Sequence, residues 1–200
     1  MSPKSLSLQE RNKQKERLFA KGRELLTKYG VHKTSVEDIT KAAGMAKGSF
    51  YQYFDSKESF FFEIVVQFHN EWFYNAGQTF AKAGELPLKE LVRDYLRQFY
   101  RSQEYLFFFQ YHEEIEELFQ VGLGQRKVDE LQKLENEAYE RLLLQFHIDT
   151  QRVKPGVVHN YLHTIYFGIA NEYLMDKDCV EDTFEVLLNG LITYIFGGDI

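Results

Sequence analysis

The fold is indicated most clearly by the stretch AGMAKGSFYQYFDSKESFF, which runs from Ala43 to Phe61. It mixes glycines and lysines, which a buried helix does not tolerate, with more aromatic rings than an ordinary exposed helix carries. The segment must therefore bury its rings while it presents small and positively charged residues at a surface. Its flanking sequence shows what kind of surface that is.

Two short helices separated by a glycine-centred turn are predicted here. In KTSVEDITKAAG (residues 33–44), Thr34 is followed three residues later by Glu37. This is the spacing of a capping box, so a helix begins one or two residues after Thr34. Gly44 ends that helix, because glycine reverses the chain without a Cβ clash. A second helix is expected from about Lys47 to Tyr53, which completes a helix-turn-helix.

The second helix is expected to have a buried side and an exposed side. Phe50 and Phe54, four residues apart, would anchor it to the core. The remaining residues would face a DNA major groove: Lys47, Gly48, Ser49, Tyr51 and Gln52. Lysine and serine reach base edges or phosphates, glutamine pairs with adenine, and tyrosine offers a ring for thymine methyls. Glycine would let the start of the helix approach the DNA backbone.

Three further residues are predicted to hold phosphates. Thr34 and Ser35 stand at one helix N-terminus and Lys57 at another, where free backbone N–H groups favour anions. Thr34 has an alternative role, because the capping box explains it without DNA. Tyr53 offers a hydroxyl for the DNA backbone, with half-buried core as its alternative. The basic face of the preceding helix would add long-range attraction.

The stretch GVHKTSVEDITKAAGMAKGSFYQYFDSKESFFFEIV (residues 30–65) resembles the DNA-binding domain of TetR-family transcriptional regulators. The matching positions are Gly30, Thr34, Ile39, Ala42–Gly44, Lys47–Gly48, Phe50–Tyr51, Tyr53–Phe54 and Lys57–Glu58. By position, the resemblance implies phosphate contacts at Thr34 and Lys57, and a place against the DNA backbone for Tyr53. It also implies a homodimer through the last two helices, a small-molecule effector and the role of a repressor.

The rest of the chain is predicted to be helical, which makes the fold class all-α. We expect a helix-turn-helix domain at residues 1–56, then a larger ligand-binding and dimerisation domain at 57–200. Residues 1–60 carry 12 Lys+Arg and 7 Asp+Glu, a net charge of +5, whereas the remainder carries 12 and 23, a net charge of −11. This asymmetry favours a polyanionic partner for the first domain.

Composition also argues against several classes of protein. No apolar run is long enough for a membrane span, and Cys179 is the sole cysteine, which favours a reducing cytoplasm. The rival hypothesis is a helical enzyme or ligand-binding protein with an incidentally basic N-terminus. No nucleophile–base pair or glycine-rich phosphate loop supports catalysis, so we expect no enzymatic activity and no cofactor.

The second domain is rich in rings, which predicts a pocket for an apolar or aromatic effector. The candidate ligand-binding residues are Tyr95, Phe99, Tyr105, Phe108, Phe109, His112, Tyr166 and Asn171, with ordinary core as the alternative role for each. His159 and His163 lie one helical turn apart and could share a metal. Because no acidic residue completes a zinc-protease signature and no cysteine lies nearby, we expect no metal and interpret them as polar positions at or near the dimer interface. The acidic run at residues 113–117 is interpreted as solvated surface, with a cationic ligand as the alternative.

Overall fold

The computed structural model describes residues 7–100 and 102–197, without the side chains of residues 103, 104 and 109. The described residues form helices and no strand, which confirms the all-α fold class. The α-helices are α1 (Leu8–Lys33), α2 (Val36–Ala42), α3 (Lys47–Phe50), α4 (Lys57–Phe80), α5 (Leu88–Tyr100), α6 (Gln103–Gln110), α7 (His112–Leu123), α8 (Gln125–Gln145), α9 (Pro155–Ala170) and α10 (Val180–Phe196). Two 3₁₀ helices, Glu172–Leu174 and Lys177–Cys179, precede α10.

Local sequence signals set most helix ends. Gly30 has φ 80° and interrupts α1 at the glycine where the sequence predicts its end. Gly44, with φ 65°, ends the α2 region, and Pro155 begins α9 at a position that suits proline. Ser56 caps α4, because its Oγ accepts a hydrogen bond from the Ser59 backbone N–H at 3.1 Å.

Three local predictions are wrong. The capping box of α2 is formed by Ser35 and Asp38, not by Thr34 and Glu37. The helix α3 ends at Phe50, and the chain continues through a turn. The helical pattern of residues 102–119 in the sequence predicts one helix, whereas the chain divides into α6 and α7 at Tyr111, whose φ and ψ are −107° and 22°. No glycine or proline marks that break, so the sequence pattern did not indicate it.

The chain divides into two compact units. The first holds the described residues up to Gln67 together with Glu113–Gln125, and the second holds Phe68–His112 with the described residues from Arg126 onward. The sequence predicted the boundary between the two domains at 56/57, before α4. In the structure, the first turns of α4 belong to the first unit. The reason is packing: Phe60 of α4 stacks on Phe19 of α1 with ring centroids 5.5 Å apart.

Aromatic rings form the centre of the first unit. Phe60 contacts Phe50 and Phe54 with centroid distances of 5.2 and 4.7 Å, and Phe54 meets Phe19 at 5.3 Å. Gly22 of α1 makes room for this cluster, because a Cβ there would lie 2.4 Å from the Phe60 ring. The rings therefore hold α1, α3 and α4 together through contacts that only a glycine at position 22 permits.

The core of the second unit lies between α5, α9 and α10. Tyr166 of α9 is fully buried, and its hydroxyl donates a hydrogen bond to the Leu96 carbonyl of α5 at 3.0 Å. Tyr100 and Phe184 stack with centroids 3.9 Å apart, which joins α5 to α10. Burial raises the pKa of Tyr166, so this hydroxyl keeps its proton and remains a donor.

Across the described residues, no helix is both long and apolar enough to cross a membrane.

Candidate nucleic-acid interface

The helix-turn-helix is built from local contacts that fix α2 first. Ser35 Oγ accepts a hydrogen bond from the Asp38 N–H at 3.1 Å, and the Asp38 carboxylate accepts one from the Ser35 N–H at 3.1 Å. The Ser35 hydroxyl and N–H lower the pKa of Asp38, so the box persists at neutral pH. At the other end of α2, Arg17 of α1 donates to the Ala43 carbonyl at 3.2 Å. The start and the end of α2 are thus both held.

Two phenylalanines anchor α3 and the turn that follows it, as the four-residue spacing predicts. Phe50 is fully buried and Phe54 nearly so. Both pack on Phe60, and their own rings lie 5.1 Å apart. Because α3 is short, this aromatic anchoring rather than helix length holds its position.

Residues on the opposite side of α3 are accessible. Of the predicted groove-facing residues, Lys47, Gly48, Tyr51 and Gln52 are exposed and Ser49 is half-buried. Lys47 Nζ lies 4.0 Å from the Glu37 carboxylate, a loose surface pair that costs little to break. A Cβ added at Gly48 would meet nothing within 4 Å. The structure therefore gathers this predicted set into one accessible surface, which we call the α3 surface (residues 47, 48, 49, 51 and 52).

Tyr53 and Lys57, which follow this surface in the chain, are already engaged within the unit. The Tyr53 hydroxyl donates to Gln14 Oε1 at 2.8 Å, and Arg11 lies 5.8 Å from the centre of the Tyr53 ring. Lys57 Nζ donates to the Val31 carbonyl at 3.0 Å. The Tyr53 oxygen retains acceptor capacity and the Lys57 ammonium retains two protons, so their predicted contacts with phosphate stay predictions.

Thr34 requires a correction. It is 1% exposed, and its hydroxyl donates to the Gly30 carbonyl at 2.8 Å. Its side chain stabilises the end of α1 and is not available to a phosphate in this arrangement. Ser35, by contrast, is exposed at the N-terminus of α2, where the sequence analysis placed it. The sequence predicted a phosphate contact for Thr34, because a threonine that is buried and one that is exposed at a helix N-terminus cannot be told apart by sequence spacing.

The basic residues of α1 are only partly available to a polyanion. Lys15 pairs with Glu63 at 2.8 Å, and Lys21 pairs with Glu24 at 2.7 Å. Arg11 lies over the Tyr53 ring, next to the α3 surface. Arg11 and Lys47 thus contribute positive charge at or next to this surface, and Arg17 from the middle of α1 reaches the end of α2.

The predicted ligand-binding residues are spread through the second unit as packing residues. Tyr95 donates to the Trp72 carbonyl at 2.8 Å, and Asn171 Nδ2 donates to the Phe167 carbonyl at 2.9 Å. The rings of Phe99 and Tyr105 lie 3.9 Å apart, and Phe108 packs on Phe68 at 4.3 Å. His112 lies 5.7 Å from His163 between ring centroids, and Tyr166 is the core residue described above. The Phe109 side chain lies outside the described part of the structure.

The second unit contains an apolar cavity of about 50 Å³ with a different lining. Its walls are Trp72, Phe80, Leu88, Val92, Leu96, Tyr139, Leu142, Leu143, Phe146, Ile148, Val158, Leu162, Leu191, Ile195 and Phe196. None of the predicted ligand-binding residues with a described side chain is among them. The predicted set was chosen from the aromatic run at residues 104–114 and its neighbouring helices. The cavity is instead enclosed mainly by apolar side chains of α5, α8, α9 and α10. Ligand binding by the predicted set therefore stays a prediction.

Comparison with known proteins agrees with the geometry of the first unit. The profile of a family described as bacterial regulatory proteins, tetR family, matches residues 18–64. This range contains α2, α3 and the buried aromatic cluster. The helix-turn-helix part of the chain, within residues 18–64, belongs to the tetR family. Its resemblance to TetR-family regulators, noted above from the helix-turn-helix motif, is confirmed.

Individual relatives resemble either part of this sequence or the fold of nearly the whole chain. The HTH-type transcriptional repressor DhaR of Mycobacterium sp. (strain GP1) is 32% identical over 77 residues. That match spans 38% of this chain and 39% of the relative, so it concerns well under half of either protein.

Solved structures resemble nearly the whole chain. The fatty acid degradation regulator FadR from Bacillus halodurans has a TM-score of 0.61 at 18% identity, over 92% of this chain and 97% of that one. A TetR-family regulator from Pectobacterium atrosepticum has a TM-score of 0.62 at 17% identity, over 94% of this chain and 93% of the other. At such identities the likeness establishes the fold, including the larger helical part after the helix-turn-helix.

Proposed function

We propose that this chain is a transcriptional repressor that binds a palindromic DNA operator as a homodimer and is released by a small apolar or aromatic effector. The α3 surface supports the first part. It presents a lysine, a serine, a glutamine and a tyrosine beside an open glycine, all fixed from behind by Phe50. These side chains match the donors, acceptors and methyl groups of a major groove. Contact with chromosomal DNA would place the protein in the cytoplasm.

The exposed side of the last two long helices supports the homodimer. On α9 the exposed residues are Val157, Asn160, Thr164 and Phe167, and on α10 they include Thr183, Val186 and Gly190. These residues are uncharged, which is typical of the core of an interface between copies. The exposed charged residues of α10, Glu181 and Asp182, lie in its first turn. Two α9–α10 pairs would form a four-helix interface related by a two-fold axis. The two α3 surfaces would then read half-sites about 34–36 Å apart, one helical turn of DNA, or a multiple of that distance.

The cavity supports an apolar effector, because its lining is almost entirely aliphatic and aromatic. At about 50 Å³ it is smaller than the roughly 300–1,000 Å³ that a drug-sized molecule fills. Binding would therefore enlarge the cavity by moving the helices that enclose it. A coupling free energy of about 1–3 kcal/mol would change operator occupancy roughly five- to 150-fold.

The observation that carries the DNA-binding proposal is the accessible α3 surface, and a double variant tests it. Lys47→Ala with Tyr51→Ala is expected to abolish specific binding of DNA from upstream of the gene, as measured by gel shift. The matched control is Lys133→Ala with Tyr74→Ala, because this lysine and tyrosine are also exposed but lie in the second unit. Equal operator affinity in the two double variants would count against the proposal and favour the enzyme or ligand-binding alternative.

A further inference from the structure

A glutamate and three histidines meet inside the second unit. Glu135 of α8 lies between His69 of α4 and His159 of α9. Its two carboxylate oxygens are 3.0 Å from His69 Nδ1 and 3.3 Å from His159 Nε2. His163, one turn along α9, has its ring centroid 4.6 Å from that of His159. The side chains of Glu135 and His159 are only 11% and 14% exposed, so little water reaches them.

Two of the buried nitrogens lack an aligned hydrogen bond. His69 Nδ1 and His159 Nε2 both approach the Glu135 carboxylate at ion-pair distance, but the angles of these contacts are not those of a hydrogen bond. An unsatisfied buried polar atom is costly and rare in native proteins. Ring nitrogens and carboxylate oxygens that converge without aligned hydrogen bonds have the arrangement of ligand atoms that share a cation.

The residue types in this cluster also suit a cation. A metal ion binds imidazole in its neutral form and a carboxylate in its charged form, so binding by these residues would release any protons that they carry.

We propose that Glu135, His159 and His163 bind one first-row transition-metal dication of the Zn²⁺ class. The ligand atoms of these three residues all lie within 4.8 Å of one another. Ligand atoms that share one zinc ion at about 2.0–2.2 Å lie roughly 3–4 Å apart, so a shift of about an ångström closes the site. Two imidazoles and a carboxylate select Zn²⁺-class ions over Mg²⁺ or Ca²⁺, which prefer oxygen ligands.

Three protein ligands leave a fourth coordination position for water or another small ligand. His69 is a positioning residue in this arrangement, because it faces the second oxygen of Glu135 and fixes the rotation of the carboxylate. The ring of Tyr139 stacks on His159 at 5.4 Å and shields the site from one side. The sequence predicted no metal, because no acidic residue completes a zinc-protease signature and no cysteine lies near the histidines. The carboxylate is supplied instead by Glu135 of α8, the helix before α9.

The test is a Zn²⁺ titration of the full chain after chelator treatment, with a chromophoric chelator as competitor. We expect one tightly bound ion per chain. Glu135→Gln and His159→Gln should each weaken binding more than about 100-fold, and His69→Gln by about 10–100-fold. His147→Asn is the matched control, because His147 is exposed in the same unit with φ 58°, a conformation that asparagine tolerates. This variant should bind Zn²⁺ like the unaltered chain.

Equal Zn²⁺ affinity in the unaltered chain and in His159→Gln would overturn the proposal. Circular dichroism reports whether each variant folds. If the buried substitutions prevent folding, the Co²⁺ absorption spectrum of the unaltered chain decides. Intense visible bands of a four-coordinate site would support the proposal, and the weak bands of hydrated Co²⁺ would contradict it. None of these measurements depends on DNA binding, so the result is independent of the proposed repressor function.

Discussion

The rings of Phe50 and Phe60 lie with their centroids 5.2 Å apart at an interplanar angle of 65°, and this contact joins α3 to α4. Both side chains are fully buried. Because α3 contains only four residues, it lacks the length to be stable as an isolated helix. The exposed residues of α3 therefore owe their fixed position to this aromatic contact. Because the exposed and the buried residues of α3 are different, substitutions can change one group without changing the other.

The substitution Gly48→Ala should weaken DNA binding without harming the fold. A Cβ at Gly48 meets nothing within 4 Å, and alanine favours a helix over glycine, so stability should stay equal or rise by up to about 1 kcal/mol. On DNA, the added methyl would hold the start of α3 away from the backbone. Thermal denaturation and fluorescence anisotropy with labelled operator DNA measure the two effects.

Gly22→Ala is the contrasting control. Its Cβ would lie 2.4 Å from the Phe60 ring, so this variant should lose stability through overpacking, by about 1–3 kcal/mol. If Gly48→Ala bound operator DNA as tightly as the unaltered chain, close approach of DNA at this position would be disproved.

Thr34→Val should destabilise the first unit while it leaves DNA affinity unchanged at a temperature where the variant is folded. The substitution removes the hydroxyl that donates to the Gly30 carbonyl, which leaves a buried acceptor without its partner. A loss of about 1–3 kcal/mol in the free energy of unfolding is expected, as measured by urea denaturation.

Thr34→Ser keeps the hydroxyl and should retain more of the stability than the valine variant. A marked fall in operator affinity for Thr34→Val, with little change in stability, would instead restore Thr34 as a phosphate contact.

Salt should weaken operator binding steeply, because phosphate contacts release condensed counterions. A plot of log affinity against log salt concentration should be linear with a negative slope. If Lys47 contacts a phosphate, Lys47→Ala should reduce the steepness of that slope by about 1. Lys133→Ala, an exposed lysine of the second unit, should leave the slope unchanged. A flat plot for the unaltered chain would argue against phosphate contacts altogether.

Val186→Glu should convert the dimer into a monomer. Val186 is 70% exposed on α10, in the uncharged face proposed as the interface, and a buried carboxylate there would lack a partner. Sedimentation velocity measures the change in mass, and operator affinity should fall with it. Val121→Glu is the control, since Val121 is 83% exposed on α7 in the first unit. Dissociation by both variants, or by neither, would place the interface elsewhere.

Much of the α3 surface could be predicted from sequence, because its determinants are local. The four-residue spacing of Phe50 and Phe54 indicated which side of the motif is buried, and the structure confirms it. Gly44 indicated the turn, because its positive φ is a conformation that glycine adopts readily, and this depends on one residue alone. The burial of Thr34 was not predicted. Its hydroxyl is buried against the end of α1, and the spacing of residues in the sequence does not indicate burial.

The sequence by itself determined the all-α class, the helix-turn-helix and the residues that face outward from α3. Each depends on helical periodicity or on the conformational preference of a single residue, and both act over a few positions. Only the tertiary structure decided the lining of the apolar cavity and the meeting of Glu135 with His159 and His163. Those residues come together because helices pack on one another, both neighbouring helices such as α8 and α9 and helices far apart in the sequence such as α5 and α10. The register of such packing depends on side-chain shape across the whole core, which no short stretch of sequence specifies.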